Sequence, residues 1–340
     1  MKIDVILDTR ANADELAELG QLAERHGVHG IWVSSLLDSR DPFANLSVLA
    51  RSTREINLGP VAVNPFDTHP VKIASSLLTL NELAGGRARI VIGGGGEALA
   101  ALDIKPVRRV RAVSECVEII KAVATGAPVD YTGEIYSVHN LRLAWLEADA
   151  PTIFVGASME QMLRMSARVA DGIMMSDMPT PLVVAAIETL DASLGKFGKR
   201  RPAFRTNGFA AWHVYADREQ AVREARQWLV LRGIFRPWVL EQFLDPAHVD
   251  LVMSSAPAFW KAFNSQSHIV EGVPDAVLDT MVENLTFVAA LTELDHQIEK
   301  LKKFAAAGLQ TIALRLYRDP AESIRLLGER VIPALRQTVD

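Results

Sequence analysis

A chain of 340 residues, 49% hydrophobic and 23% charged, has the apolar content for a large buried core and the length of an α/β barrel with insertions. Its formal charge of −5, without a basic stripe, argues against a nucleic-acid partner, and no apolar run is long enough for a membrane span. The single cysteine, Cys116, excludes an internal disulfide, and with no secretion signal ahead of the first strand a cytoplasmic protein is expected.

Residues 2–8 (KIDVILD) read as a strand, and 14–26 place Leu16, Leu19, Leu22 and Ala23 at helical spacing up to a capping Gly27. A second strand over 30–34 (GIWVS) is followed by a loop through Asp38 and Asp41 and a helix over 46–53. The third strand runs over 56–64 and ends at Asn64; Thr68-His69-Pro70 then opens a helix that stops at Gly85-Gly86-Arg87. A fourth strand over 89–92 leads into four glycines. Next come a helix over 107–124, a hairpin over 129–138, a strand over 152–156 with its helix at 160–169, and a strand over 173–176 with its helix at 181–194. A long strand over 204–215 precedes a helix at 218–231, and a last strand over 309–316 precedes the closing helix at 321–335. Eight Val/Ile-rich strands, each followed by a helix, predict one (β/α)8 TIM barrel over residues 1–340. Residues 233–295, rich in aromatic side chains, form a helical insertion between strands seven and eight, read either as a lid or dimer contact or as extra packing on the barrel wall.

Ligands of such barrels meet the C-terminal ends of the strands, which here present Asp8, Ser34-Ser35, Asn64, Gly93 to Glu97, Gly156-Ala157-Ser158 and Ser176-Asp177. Gly94, Gly95 and Gly96 allow close backbone approach to a ligand, although the run matches no complete phosphate-loop motif. Gly156, Ala157 and Ser158 precede a helix whose first amides and dipole favour an anion. Lys105, Arg108, Arg109 and Arg111 crowd another helix start against its dipole, as an anion site or as a solvated basic face. Asp8, at a strand tip, is the candidate catalytic acid; Asp38 and Asp41 are read as turn and cap residues and His69 as a helix-start residue. Ser35, Asp38, Glu97, Arg108, Arg109 and Asp177 are candidate anion or substrate contacts. Tyr131, Glu134 and Tyr136 either rim the pocket or pair across the hairpin. Cys116 reads as a buried structural thiol, and no residue cluster has metal-ligand spacing.

The order LGPVAVNP, His69-Pro70, LAGGRA, the glycine run, and then VGA, Met162-Leu163 and Ala170-Asp171-Gly172 resembles the bacterial-luciferase-like superfamily, whose barrels bind flavin or the deazaflavin coenzyme F420. With Arg40-Asp41 and Lys105-Pro106, the layout looks most like its methylenetetrahydromethanopterin-reductase branch, which transfers a hydride between the reduced deazaflavin and a one-carbon pterin carrier. The resemblance implies a cytoplasmic homodimer and an F420-dependent oxidoreductase acting on a small organic or one-carbon pterin-type substrate. It also implies a non-proline cis peptide at Val61–Ala62 behind the cofactor ring, with Val61, Ala62, Asn64, Gly94, Gly95 and Gly96 beside the cofactor and Gly156, Ala157 and Ser158 on its phosphate. One departure bears on mechanism. Deazaflavin-dependent members commonly carry an Asp-His pair after strand two, where this chain has Ser35 and Leu36. An FMN-dependent monooxygenase, a flavin-free nicotinamide (NAD(P)H) reductase and a non-catalytic ligand-binding barrel therefore stand as alternatives.

Overall fold

Eight parallel strands wrap into a nearly closed barrel in the computed structural model, which describes residues 1–146 and 149–336; the side chains of Glu97 and Ala98 lie outside the description. The strands are β1 (Lys2–Leu7), β2 (Gly30–Ser34), β3 (Asn57–Val61), β4 (Arg89–Ile92), β5 (Val129–Thr132), β6 (Ser137–Leu141), β7 (Thr152–Gly156), β8 (Gly172–Ser176), β9 (Arg205–Tyr215), β10 (Thr286–Ala290) and β11 (Thr311–Leu316). The helices through the first barrel half are α1 (Ala13–Arg25), α2 (Pro42–Ser52), α3 (Pro70–Leu83), α4 (Arg109–Val123) and α5 (Glu160–Val169). They continue as α6 (Thr180–Lys196), α7 (Arg218–Gln227), α8 (Pro237–Leu240), α9 (Pro246–Ser254), α10 (Ala256–Asn264), α11 (Asp275–Leu285), α12 (Leu294–Ala306), α13 (Pro320–Leu326) and α14 (Ile332–Arg336). The predicted (β/α)8 class holds.

Around the wall the order is β3-β2-β1-β11-β9-β8-β7-β4, and the ring closes between β3 and β4 by the bridges Leu58–Ala88 and Val63–Ile92. Gly59 makes that closure possible: the Arg89 carbonyl oxygen lies 1.9 Å from where a Cβ would stand. The lumen is packed. Trp32 and Phe154 meet edge-on with centroids 5.6 Å apart, among Ile6, Val61, Val91, Met174 and Ala313. At the N-terminal end Asp4, fully buried, takes Arg89 Nη2 at 2.7 Å, Trp32 Nε1 at 2.8 Å, His29 Nδ1 at 2.9 Å and Asn207 Nδ2 at 3.1 Å. Hydrogen bonds on all sides are what a buried carboxylate needs.

The insertion lies between the seventh and eighth barrel strands as expected, with two corrections to its content. It is not purely helical: β9 outruns the barrel, and β10 pairs in parallel with its far end from Ala211 to Tyr215. The helix before the last barrel strand is α12, and the helix predicted over 218–231 ends at Gln227 in a short 3-10 turn, Leu229–Arg232. The insertion has its own apolar cluster, in which Phe259, Val239, Leu240, Leu278 and Met281 are buried with Leu229 and Val288. Among the described residues no helix is long and apolar enough to cross a membrane, and no group of His, Cys, Asp and Glu could hold a metal ion.

Candidate functional site

Two adjoining hollows open at the C-terminal mouth of the barrel. The outer cleft, about 700 Å³, runs between the glycines Gly93 to Gly96 and a wall from the insertion formed by Gly233, Phe235, Arg236 and Trp260. The inner cavity, about 400 Å³, reaches from Ser34 and Val61 to Phe209, Trp228, Arg232, Arg315 and Tyr317. Ser35, Leu36, Ala62 and Leu231 line both, so Ala62 stands at the junction. The Val61–Ala62 peptide is cis, and the Val61 carbonyl accepts from the Ser35 amide at 2.9 Å. A further hollow of about 770 Å³ between α7 and α11 lies away from the strand tips, and Arg226 there is already paired with Asp275 and Asp279. Its arginines and carboxylates pair with one another, which leaves the barrel mouth as the candidate site.

The glycine run meets two helix starts. A Cβ built on Gly94 would stand 3.5 Å from Met162 Cε in α5 and 3.8 Å from Arg109 Cβ in α4. Neither α4 nor α5 has a side-chain N-cap, so their first amides are free to receive an anion. Gly156 neighbours the same place: its Cβ position is 3.9 Å from Gly93 Cα and touches nothing closer than 3.8 Å. Ala157 is buried and Ser158 half-buried at this tip. Asn64 lines the cleft while its side chain organises the turn below, donating to Asp67 at 2.6 Å and accepting from the Phe66 amide at 3.0 Å. His69 caps α3 through Val71 N at 3.2 Å, and Asp41 caps α2 through Ala44 N at 2.9 Å, both in the structural roles expected. Glu97, a candidate contact, lies outside the described side chains.

The arginine cluster divides. Glu134 of the β5–β6 hairpin pairs with both Arg108 and Arg111 at 2.6 Å, so those charges are already answered. Arg109 and Lys105 have no ion pair among the described residues and line a shallow hollow beside Gly96. The hairpin is itself held by Glu115, whose carboxylate accepts from the amides of Glu134, Ile135 and Tyr136 at 2.8 to 3.0 Å. Tyr136 donates to the Pro65 carbonyl at 2.7 Å and Tyr131 to Glu118 at 2.7 Å, so these hairpin residues brace the cleft from outside. Burial pushes the Tyr136 hydroxyl up to about 12 and the Cys116 thiol well up, as inert structural groups.

Asp8 does not stand free. Its carboxylate pairs with Arg10 at 3.1 Å and Arg315 at 3.2 Å. Burial would raise its pKa, but the hydrogen bonds from Arg10 and the charges of Arg315 and Arg10 outweigh that and hold it below the usual aspartate range. Near neutrality it is an anion that fixes two guanidiniums. Asp177, buried and at φ 51°, accepts from Arg232 at 3.1 Å and Ser176 Oγ at 2.6 Å. Arg236 donates to the carbonyls of Ser176 and Asp177 at 3.2 Å, so the tip of β8 ties the insertion to the barrel. Asp38, exposed, sits on the rim of the inner cavity.

Sequence reasoning missed Arg232, Arg236, Arg315 and Tyr317. The pattern of the last strand, an arginine in an apolar run two residues before a tyrosine, was the one signal that could have flagged Arg315 and Tyr317. Arg232 and Arg236 gave no such signal, because their place depends on how the insertion folds back.

Residues 1–311 match the model of the luciferase-like monooxygenase family. The chain is 32% identical over 331 residues to a 5,10-methylenetetrahydromethanopterin reductase from Archaeoglobus fulgidus, covering 95% of this chain and 96% of that one. It is 24% identical over 353 residues to an F420-dependent glucose-6-phosphate dehydrogenase from Nakamurella multipartita, covering 96% and 93%. The solved coenzyme F420 dependent tetrahydromethanopterin reductase from Methanopyrus kandleri superposes with a TM-score of 0.83 at 19% identity, covering 98% of each chain. Barrel, glycine-run cleft and sequence agree: the chain is an enzyme of the luciferase-like monooxygenase family.

Proposed function

We propose that this enzyme is an F420-dependent oxidoreductase that moves a hydride between the deazaflavin and a small organic or one-carbon pterin-type substrate. The observation that carries the reading is the junction at Ala62, where an outer cleft with a bare glycine backbone on one side meets a separate inner cavity. A flat cofactor ring fits the first, and the second leaves a substrate room beside it. The names of the relatives from Archaeoglobus fulgidus and Nakamurella multipartita support this class of reaction.

When bound, the deazaflavin supplies the hydride chemistry; the protein supplies position and field. Gly93 to Gly96 let the main chain approach the ring, with Leu36, Leu99, Phe235 and Trp260 as apolar walls. The free amides of α4 and α5, with Arg109 and Lys105, would receive the anionic side chain of the cofactor. Asp8 would hold Arg10 and Arg315 in place, a role its low pKa suits better than proton donation. Following the family resemblance, the early helices would form a homodimer interface.

The Ser35-Leu36 pair favours a second reading, an FMN-dependent monooxygenase or a nicotinamide reductase, because no imidazole stands at that strand tip. An anaerobic assay separates them. With oxygen excluded, reduced F420 should be oxidised by a suitable acceptor in proportion to enzyme. Turnover that needs oxygen and FMN, or that runs on NADPH with neither flavin nor F420, would overturn the proposal.

A further inference from the structure

Three side chains that line the inner cavity carry donors without a partner among the described residues. Among its lining residues Arg232 Nε, Arg315 Nη1 and the Tyr317 hydroxyl are buried and have no hydrogen-bond partner among the described residues. Arg232 is 4% exposed and Arg315 6%. Burying an unpaired donor is costly, so three around one hollow need an explanation from outside the chain. None of the three is loosely placed. Arg315 is pinned by Asp8 at 3.2 Å and Arg232 by Asp177 at 3.1 Å, and Arg232 also lies over the Phe209 ring at 5.2 Å. The Tyr317 ring is stacked on His213 at 4.7 Å and against Trp228 at 4.8 Å, which fixes where its hydroxyl points.

Charge points the same way. Three guanidiniums, Arg10, Arg232 and Arg315, line the cavity against one carboxylate, Asp38, while Asp8 and Asp177 sit behind them as their ion-pair partners. Both acids are already paired, and the exposed Asp38 is on the rim. Apart from Ser34 and Ser35, the remaining walls are apolar, from Leu36, Val61, Ala62, Phe209, Trp228 and Phe263. Such a cavity is matched by a ligand with an apolar body and an oxygen-rich anionic end.

We infer that the inner cavity is a substrate subsite for an apolar-bodied organic acid, with its carboxylate received by Arg315, Arg232 and the Tyr317 hydroxyl. The ligand's role as hydride acceptor or donor rests on the proposed function; binding of the acid does not. Tyr317 and the two arginines are then specificity residues, and the reducible carbon of the substrate lies on the Ala62 side of its carboxylate.

The test is calorimetric titration of the whole enzyme with benzoate, benzamide and F420, repeated on Tyr317→Phe and Arg315→Lys, with thermal midpoints taken for each protein. Benzoate should bind at least about tenfold more tightly than benzamide, since only the carboxylate adds charge to the same ring. Tyr317→Phe should weaken benzoate by about three- to tenfold, leave benzamide and F420 unchanged, and keep the parent's thermal midpoint, because its hydroxyl bonds nothing in the protein. Arg315→Lys should reduce the preference for benzoate even though it keeps the charge. Equal affinity for benzoate and benzamide, including no binding of either, would overturn the inference. So would a Tyr317→Phe variant that weakens F420 and leaves benzoate alone, since the donors would then belong to the cofactor. Benzoate selectivity in an enzyme that does not bind F420 would sink the proposed function and leave this subsite standing.

Discussion

Asp4 shows what single residues do in this molecule that the sequence conceals. It sits in an ordinary-looking strand, KIDVILD, and nothing there announces that Arg89, His29, Trp32 and Asn207 converge on its carboxylate. Burial pushes its pKa up, but Arg89 and the bonds from His29 and Trp32 win, and the carboxyl lies below the ordinary aspartate range. A group whose pKa is depressed by folding stabilises the fold above its unfolded value and loses that contribution as pH falls through the folded one. The loss therefore belongs below about pH 4. Asp4→Asn keeps the size of the side chain but leaves Arg89 buried without a counter-ion, and should cost about 3–5 kcal/mol in urea unfolding at neutral pH. The variant should also lose less stability than the parent between about pH 4 and pH 2. An unfolding midpoint equal to the parent's would show that Arg89 finds water or another partner. His69 and Asp41, in contrast, were legible, because capping is written in two or three adjacent residues.

At the scale of elements, the local alternation of strand and helix was readable, whereas contacts between distant segments were not. The run TFVAA, which forms β10, is short and lies among helices, so periodicity alone could not separate it from them. The arginines at the start of α4 were read together, as an anion site or as a solvated basic face; Glu134, brought in by the hairpin, pairs with two of them and sets them apart from Arg109. Arg109→Gln should accordingly weaken F420 binding several-fold and reduce its salt dependence, while Arg108→Gln should have little effect on either. Equal losses would return the whole cluster to the site. The tip of β8 is the other long-range element contact. Asp177→Asn breaks the pairing with Arg232 that joins the insertion to the barrel, and hydrogen exchange should quicken in α8 to α10 while β1 and β2 keep the parent's protection. Unchanged exchange in those helices would mean that the apolar cluster alone holds the insertion.

For the whole molecule, strand count and motif order were enough to foresee the barrel and its insertion, since each rests on local pattern repeated along the chain. The inner cavity was not foreseeable, because it is assembled from the tips of β1, β2, β3, β9 and β11 together with the turn after α7. The central claim is that the outer cleft and the start of α5 hold an anionic deazaflavin through bare backbone. Gly156 is the position to probe: a Cβ there meets only ordinary contacts at 3.8 Å and beyond, so Gly156→Val should fold. The decisive measurement is an equilibrium titration of F420 into the parent and Gly156→Val, read by the change in deazaflavin absorbance or fluorescence, with FMN as the competitor. The account predicts saturable binding to the parent that FMN does not displace, and a dissociation constant raised by about tenfold or more in the variant. Equal affinity in the two proteins would place the cofactor's anion elsewhere, and a parent that binds FMN and ignores F420 would contradict the account outright.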